Sequence, residues 1–386
     1  MTDWLKEAEQ LGGQLSELRR DIHMHPEPGN REFRTSALLR KKLEEAGIEV
    51  QPVYGTALRA VLRGNGSGKT AALRADMDAL PVSENTGLPF SSVNEGVMHA
   101  CGHDFHMASL IGAARLLSEH RDTLNGNVVF LLQPDEEQDG GAEEMIRHGV
   151  LDGVGAVFGA HVNPDLPAGT VGIRYGQFYA CAAKYDVTVH GKSCHGAEPE
   201  KGNDALYAAC LMCSLLHGLT GNYDGGKAVV TTGTLHGGTV RNVVCETAHF
   251  SGIIRAESAE LLQNIRRRFL LIVRQISAET GVTCDVSLVK GYPGVKNHDR
   301  ETALVQKTAE KLLGTENIFV LNEGTLATED FGCFLLERPG CYYHIGVNSS
   351  APLHSPQFNP DERALACAAA VHAAVISEYL NAEKEK

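Results

Sequence analysis

Positive charge is scarce in this sequence. Its 35 lysines and arginines face 48 aspartates and glutamates over 386 residues, a net charge of −13. That balance speaks against a nucleic-acid backbone or an acidic membrane as partner. No uninterrupted apolar stretch approaches membrane-spanning length, and "MTDWLKEAEQLGGQL" lacks the apolar core of a signal peptide. The ten cysteines are scattered. The one C-x-x-C, Cys210 and Cys213, sits in an apolar helical pattern without a partner pair, so neither a disulfide framework nor a structural zinc finger is suggested. A reducing cytoplasm is the expected compartment. Internal repeats are missing as well. What is present, 43% hydrophobic and 22% charged residues, describes an ordinary globular protein. The length exceeds that at which single cores usually stop growing, so two domains are expected.

Two helical patterns open the chain, the second being "TSALLRKKLEEAG" with Gly47 as a left-handed cap. Strand-like runs follow: "LRAVLRG", "TAALRADM" and, after a helix at 105–118, "GNVVFLLQP" and "GVGAVFGAHV". Strands alternating with helices predict an α/β layer with a mostly parallel sheet covered on both faces. Around residue 180 the pattern changes to strand, helix, two strands, long amphipathic helix and strand. That βαββαβ order is a ferredoxin-like unit, complete in itself. The expected boundaries are therefore 1–181 for the first part of the α/β domain, 182–291 for the insertion and 292–386 for the second part.

Chemistry-bearing residues gather at the strand ends. "TAALRADMD" delivers Asp76 and Asp78, "VVFLLQPDEE" delivers Asp135, Glu136 and Glu137, and "AVFGAHV" delivers His161. Open α/β sheets place their sites beyond the carboxyl ends of the strands, so these donors can converge on one crevice. "VMHACGHDFHMASLIGAARLL" adds Cys101, His103, Asp104 and His106, and "SSAPLHSPQF" adds His354 in a Pro-bounded loop. Each has an ordinary reading too: Glu136-Glu137 as a solvated helix start, His161 as a satisfied hydrogen-bonding residue, Cys101 and His103 as a loop entering a core helix. Taken together, a thiol, several histidines and paired carboxylates at one sheet edge are what a two-metal site needs. A glutamate beside a ligand can then act as a base.

The ordered segments "LRADMDALP", "HACGHDFHMASLIGAA", "LLQPDEE", "GAHV", "GKSCHGAEPEKGNDA", "GGTVRNVV", "ATEDFG" and "LHSPQF" span nearly the whole chain. Through them it resembles the metal-dependent aminoacylase and carboxypeptidase G superfamily, in particular the hippurate hydrolase and auxin-conjugate amidohydrolase branch. The resemblance implies a di-metal exopeptidase-like catalytic domain with an inserted lid and dimerisation domain. It implies metal ligands at Cys101, His103, Glu137, His161 and His354, a catalytic base at Glu136, and Asp76 beside the metal centre, orienting a ligand. In the lid it implies His195 as a polarising histidine that reaches the metals of the partner subunit. Asn242 would bind substrate, and Arg255 would contact a substrate carboxylate. Three positions depart from the family's pattern: Asp135 stands where a small residue is common, Gln138 with Asp139 where glycines are common, and Cys245 where proline is usual. These put the pocket rim, and so the substrate, in doubt, but remove neither a ligand nor the base.

The implied activity is hydrolysis of the amide bond of an N-acyl amino acid, giving a carboxylic acid and a free amino acid. Two divalent ions per subunit would serve it. Thiolate leans toward zinc, and the nitrogen and oxygen donors accept manganese, cobalt or nickel as well. A homodimer through the lid is implied. The alternatives are a dipeptidase, an N-acetyl-diaminopimelate-type deacetylase, a cysteine hydrolase using Cys101 and His103, and a metal-binding scaffold without turnover.

Overall fold

The computed structural model describes residues 2–66 and 68–382. The chain separates into two compact units, one built from Met1–Gly176, Lys296–Glu323 and Cys333–Lys386, the other from Gln177–Val295 and Gly324–Gly332. The return of 324–332 to the second unit follows from tertiary packing, and no local periodicity announces it.

The first unit holds an eight-stranded mixed sheet. Strands β1 (Glu49–Pro52) and β2 (Leu58–Arg63) form an antiparallel pair at one edge. Strands β3 (Lys69–Asp76), β4 (Gly126–Gln133) and β5 (Ala156–Asn163) run parallel in the order β4, β3, β5. Gly340–Gly346, Val171–Ile173 and Ile318–Val320 complete the sheet beyond β5. The sequence of β4, "GNVVFLLQ", is apolar almost throughout because both faces are covered, and Val128–Gln133 is buried without interruption. Register pairs Asp76 with Gln133 across β3 and β4. The carboxyl ends that deliver the candidate donors therefore lie side by side.

Helices α1 (Trp4–Met24), α2 (Phe33–Glu45) and α3 (His103–Glu119) belong to this unit. Helix α3 begins two residues earlier than the apolar pattern suggests, so His103 is its first residue. It is buried on nearly every side; each fully buried Leu or Phe contributes about 1.5–3 kcal/mol relative to exposure. The helix Ala364–Asn381 is long and apolar enough to cross a membrane by length and composition, although His372 and Glu378 interrupt it. It packs against α1, α3 and the helix Asp299–Leu313, and 78% of its apolar window is buried. This correction to the sequence reading has a simple cause: a helix at the centre of the core needs apolar residues all round.

The second unit is a five-stranded antiparallel sheet with strands in the order Thr283–Lys290, Cys181–His190, Thr247–Ala256, Gly226–Gly237, Gly221–Tyr223. The helices Ala205–His217 and Ala259–Thr280 share its apolar core. This is the βαββαβ unit with one short strand added, Gly221–Tyr223, which the sequence reading did not separate. The first strand alternates buried and exposed residues over Ala183–His190, because only one sheet face is covered.

Candidate metal centre

At the carboxyl edge of β3, β4 and β5 the first unit gathers sulfur, nitrogen and oxygen donors. The donor atoms of Cys101, His103 and His161 all lie within 4.8 Å of one another, as do those of Cys101, Glu137 and His354, and those of His103, Glu136 and Glu137. Two triads that share Cys101 offer places for two ions. Cys101 Sγ is 3.3 Å from His161 Nε2. Glu137 Oε1 is 3.4 Å from His354 Nε2 and 3.9 Å from His103 Nε2.

Local geometry aims these atoms. Gly102 has φ 83°, and a Cβ there would sit 2.6 Å from Val162 Cγ2, so only glycine lets Cys101 and His103 flank the turn into α3. His354 and Asp135 take positive φ without being glycine, at 64° and 59°. Such conformations are sparsely populated and persist where the surroundings over-determine them. Hydrogen bonds set the histidine tautomers. The Nδ1–H of His161 donates to Val162 O at 2.8 Å, and that of His103 donates to Asp78 O at 2.8 Å. Both Nε2 atoms are left to face the cluster, the arrangement that metal-ligating imidazoles use.

The supporting carboxylates divide the work in a way the sequence did not reveal. Asp76 is bonded by Arg74 Nη1 at 2.6 Å and by His106 Nδ1 at 2.6 Å. Since His106 Nε2 accepts from Val162 N at 3.0 Å, that Nδ1 carries the proton. Asp78 also holds two candidate donors: besides accepting from His103 through its carbonyl, its Oδ2 accepts from Glu137 N at 3.0 Å. The only signals for these roles were the position of Asp78 two residues past the strand-end pair and of His106 one turn after His103.

Electrostatics fit a cation. Burial works against a charged imidazole at His103, yet Asp76, Asp78 and Glu137 outweigh it and hold its pKa at about 10. Burial alone would raise Asp76, but His103, Arg74 and His106 keep it well below the usual carboxylate range. Burial, then Glu137 and Glu136, push the Cys101 thiol far up, while burial and His106 push His161 well down. A buried thiol pushed up in this way is the opposite of the depressed, partly exposed thiolate that a nucleophilic cysteine needs. His103 Nε2 and Glu137 Oε1 are buried atoms that no hydrogen bond satisfies. Unsatisfied buried donors and acceptors are costly, and these two face each other across the same small space. A divalent ion satisfies both, so the residues fit the metal that the resemblance implies.

The lid residues are arranged differently. His195 and Asn242 come together in the second unit: His195 bridges Val243, and Gly196 N donates to Asn242 O at 2.9 Å. Both side chains are exposed. His195 Nδ1 accepts from Ala197 N at 3.1 Å, which leaves Nε2 as the free donor. Arg255 is half-buried, and its Nη1 donates to Leu326 O at 2.9 Å, tying its strand to the 324–332 segment. Cys245 Sγ accepts from Gly238 N at 3.0 Å and bonds Thr247 O, contacts that a proline could not make.

With this geometry in view, comparison with known proteins is informative. The model of Peptidase family M20/M25/M40 matches residues 72–378. The N-acetyl-L-cysteine deacetylase of Bacillus subtilis is 37% identical over 92% of this chain and 85% of its own. Thermostable carboxypeptidase 1 of Saccharolobus solfataricus is 36% identical over 95% of each. A solved structure from Bacillus subtilis, described as a dinuclear metal-binding peptidase of the M20 family, superimposes with a TM-score of 0.87 at 34% identity. That match covers 96% of this chain and 99% of the other.

Proposed function

We propose that this chain, a metal-dependent amidohydrolase belonging to Peptidase family M20/M25/M40, cleaves the acyl group from small N-acyl amino acids. The observation that carries this reading is the pair of unsatisfied buried atoms, His103 Nε2 and Glu137 Oε1, beside Glu136. Cys101, His103, Glu137, His161 and His354 would hold two divalent ions, zinc or manganese suiting the donors best. Bound there, the ions would supply Lewis-acid polarisation and a more acidic water.

The chain's own residues do the rest. Glu136 is the base: it takes a proton from water and returns it to the leaving amine. Glu136 as a whole is 6% exposed, so bulk water competes little for that proton. Asp78 fixes His103 and the Glu137 backbone, and Asp76 is locked by Arg74 and His106, so the donors need not reorganise. His195 Nε2–H is the donor that would steady the scissile carbonyl oxygen, with Asn242 beside it on the substrate's path. The relative that deacetylates N-acetyl-L-cysteine supports the N-acyl amino acid class.

The lid is our choice of dimer surface. The strand Gly226–Gly237 pairs with Gly221–Tyr223 only at Gly226–Ala228, and beyond Ala228 its outer edge has no partner strand among the described residues. Leu235, Val240 and Val243, with Tyr207 and Leu215 of the nearby helix, are exposed. A second copy covering this edge by two-fold pairing would remove both liabilities. For the compartment we propose a reducing cytoplasm, on the scattered spacing of the ten cysteines.

The test is a panel of N-acetyl and N-benzoyl amino acids and dipeptides, assayed with chelated protein and again after adding zinc or manganese. Release of free amino acid from the acyl compounds, silenced by chelation and restored by metal, is expected. Chelator-resistant activity abolished by iodoacetamide, or turnover of dipeptides alone, would replace this reading.

A further inference from the structure

The loop that carries Glu136 and Glu137 is held from a direction the mechanism does not use. Glu32 occupies the N-cap position of α2, yet its side chain caps nothing there. The first amides of that helix are served by Glu27 instead, which accepts from Arg34 N at 3.1 Å and Thr35 N at 2.8 Å. Glu32, fully buried, turns its carboxylate to the catalytic loop. Its Oε1 accepts from Asp135 N and from Asn30 N, each at 3.1 Å, and its Oε2 accepts from Thr56 Oγ1 at 2.6 Å. Asn30 adds a second tie, Nδ2 to Asp135 Oδ2 at 2.8 Å. Both tied residues are left-handed, Asn30 at φ 60° and Asp135 at φ 59°. Gly29 makes the seat: a Cβ there would lie 2.0 Å from Asp135 Oδ1.

We infer that Glu32, with Asn30, is a positioning residue for the base, clamping Asp135 in its left-handed conformation and so aiming Glu136. The αL conformation is uncommon for any residue but glycine, although aspartate tolerates it better than most, and a rotation at Asp135 would swing the next side chain away from its water. Displacements of about 1 Å at a reacting group can cost on the order of 10²-fold in rate. Asp135 is one of the positions where this sequence departs from the pattern of the family it resembles, and Gly29 and Asn30 lie directly against it. Burial holds Glu32 up at about 7, so the neutral amide of Gln is a close stand-in: its Oε1 keeps both amides, and the Thr56 hydroxyl can turn to accept.

This inference rests on Glu136 being the base, so its test has one arm free of turnover. In metal-free Glu32→Ala, amide hydrogen exchange over 133–139 should quicken by about tenfold or more while α3 keeps its protection. In the metal-loaded enzyme the same variant should lose about 10–100-fold in kcat with KM within about threefold and metal content unchanged, and Glu32→Gln should recover most of that loss. Asn30→Ala, which removes only the outer tie, should quicken exchange and lower kcat by a few-fold, and it serves if Glu32→Ala does not fold. Unchanged exchange at 133–139 in a folded variant overturns the clamp. So does a loss of metal and kcat together that Gln fails to rescue. An inactive wild type would overturn the proposed function, while the exchange arm would still decide the clamp.

Discussion

The two units hold most of their candidate functional residues in opposite ways, the exception being His354 of the first unit, which is exposed. In the first, Cys101, His103, Asp76, Asp78 and Glu136 are all buried; hydrogen bonds from other segments fix the orientations of Asp76 and His103, and the carbonyl of neighbouring Val162 fixes that of His161. In the lid, His195 and Asn242 are exposed and tied mainly by the backbone. Charged donors must be desolvated and preorganised before they attract an ion strongly, which only a core can do. A residue that meets substrate from a lid needs reach rather than rigidity. The same contrast appears in the ion pairs. The first unit buries Arg19 with Asp104 at 2.6 Å, whereas the lid's pairs, such as His190–Asp285 and Lys201–Glu198, are exposed.

The deepest cut into this contrast is at the base. Glu136→Gln should keep the fold and bind both ions, because the donor triads Cys101–His103–His161 and Cys101–Glu137–His354 stay intact. Turnover should fall by about 10²–10⁴-fold, the range for loss of a general base. Near-normal turnover in the metal-loaded variant would remove Glu136 from the role.

His195→Ala probes the exposed side. Turnover should fall by about 10²–10³-fold, as for removal of one oxyanion donor. Stability should hardly move, since exposed substitutions fall within about ±0.5 kcal/mol. If His195 of the partner subunit completes each site, mixing His195→Ala with Glu136→Gln chains should restore activity in heterodimers. Confirmed subunit exchange without recovery would confine the histidine to its own chain.

Asp78→Ala cuts a support instead of a donor. Glu137 N loses its acceptor, and metal affinity in a competition titration should weaken by about 10–100-fold, the usual effect of losing an outer-shell partner. Unaltered affinity would mean that the backbone alone orients the loop.

How much of this could be read from the chain follows the same division. Strand ends announced themselves: β4 is an apolar run stopped by Pro134, and what comes next is Asp135-Glu136-Glu137. The lid's βαββαβ order was readable because each element is amphipathic with its own period. The central strand Gly340–Gly346 was not, nor its pairing of His344 with His161, since a short buried strand looks like any apolar patch. The Asp76–His106 and Glu32–Asp135 bonds join residues 30 and 103 positions apart. Such partners leave no local pattern. Arg255 illustrates the reverse: the resemblance suggests a substrate contact, while the structure shows its guanidinium bonded to the Leu326 carbonyl, a tie that sequence spacing could not reveal.

The smallest effect concerns the ionic network behind the donors, which has no counterpart among the lid's exposed pairs. Glu84 accepts from Ser92 N at 2.6 Å and from the Thr86 hydroxyl, and faces His23 Nε2 at 3.3 Å. Burial would raise its pKa, but His23, Ser92 and Thr86 together bring it down to about 2. A carboxyl depressed in the folded state stabilises that state above its unfolded pKa of about 4.5. As pH falls from there toward 2, the unfolded chain takes up the proton first and the contribution disappears. Glu84→Gln has no such titration. In denaturant unfolding at pH 6 it should be less stable than the wild type by about 1–3 kcal/mol, the size of a hydrogen bond to a charged group. The gap should shrink steadily between about pH 4.5 and 2. Turnover near neutrality should change little, because none of the hydrogen bonds or ion pairs of Glu84 reaches a donor of the metal centre. A gap that stays constant across this pH range would mean that packing, not the charge on Glu84, holds the segment.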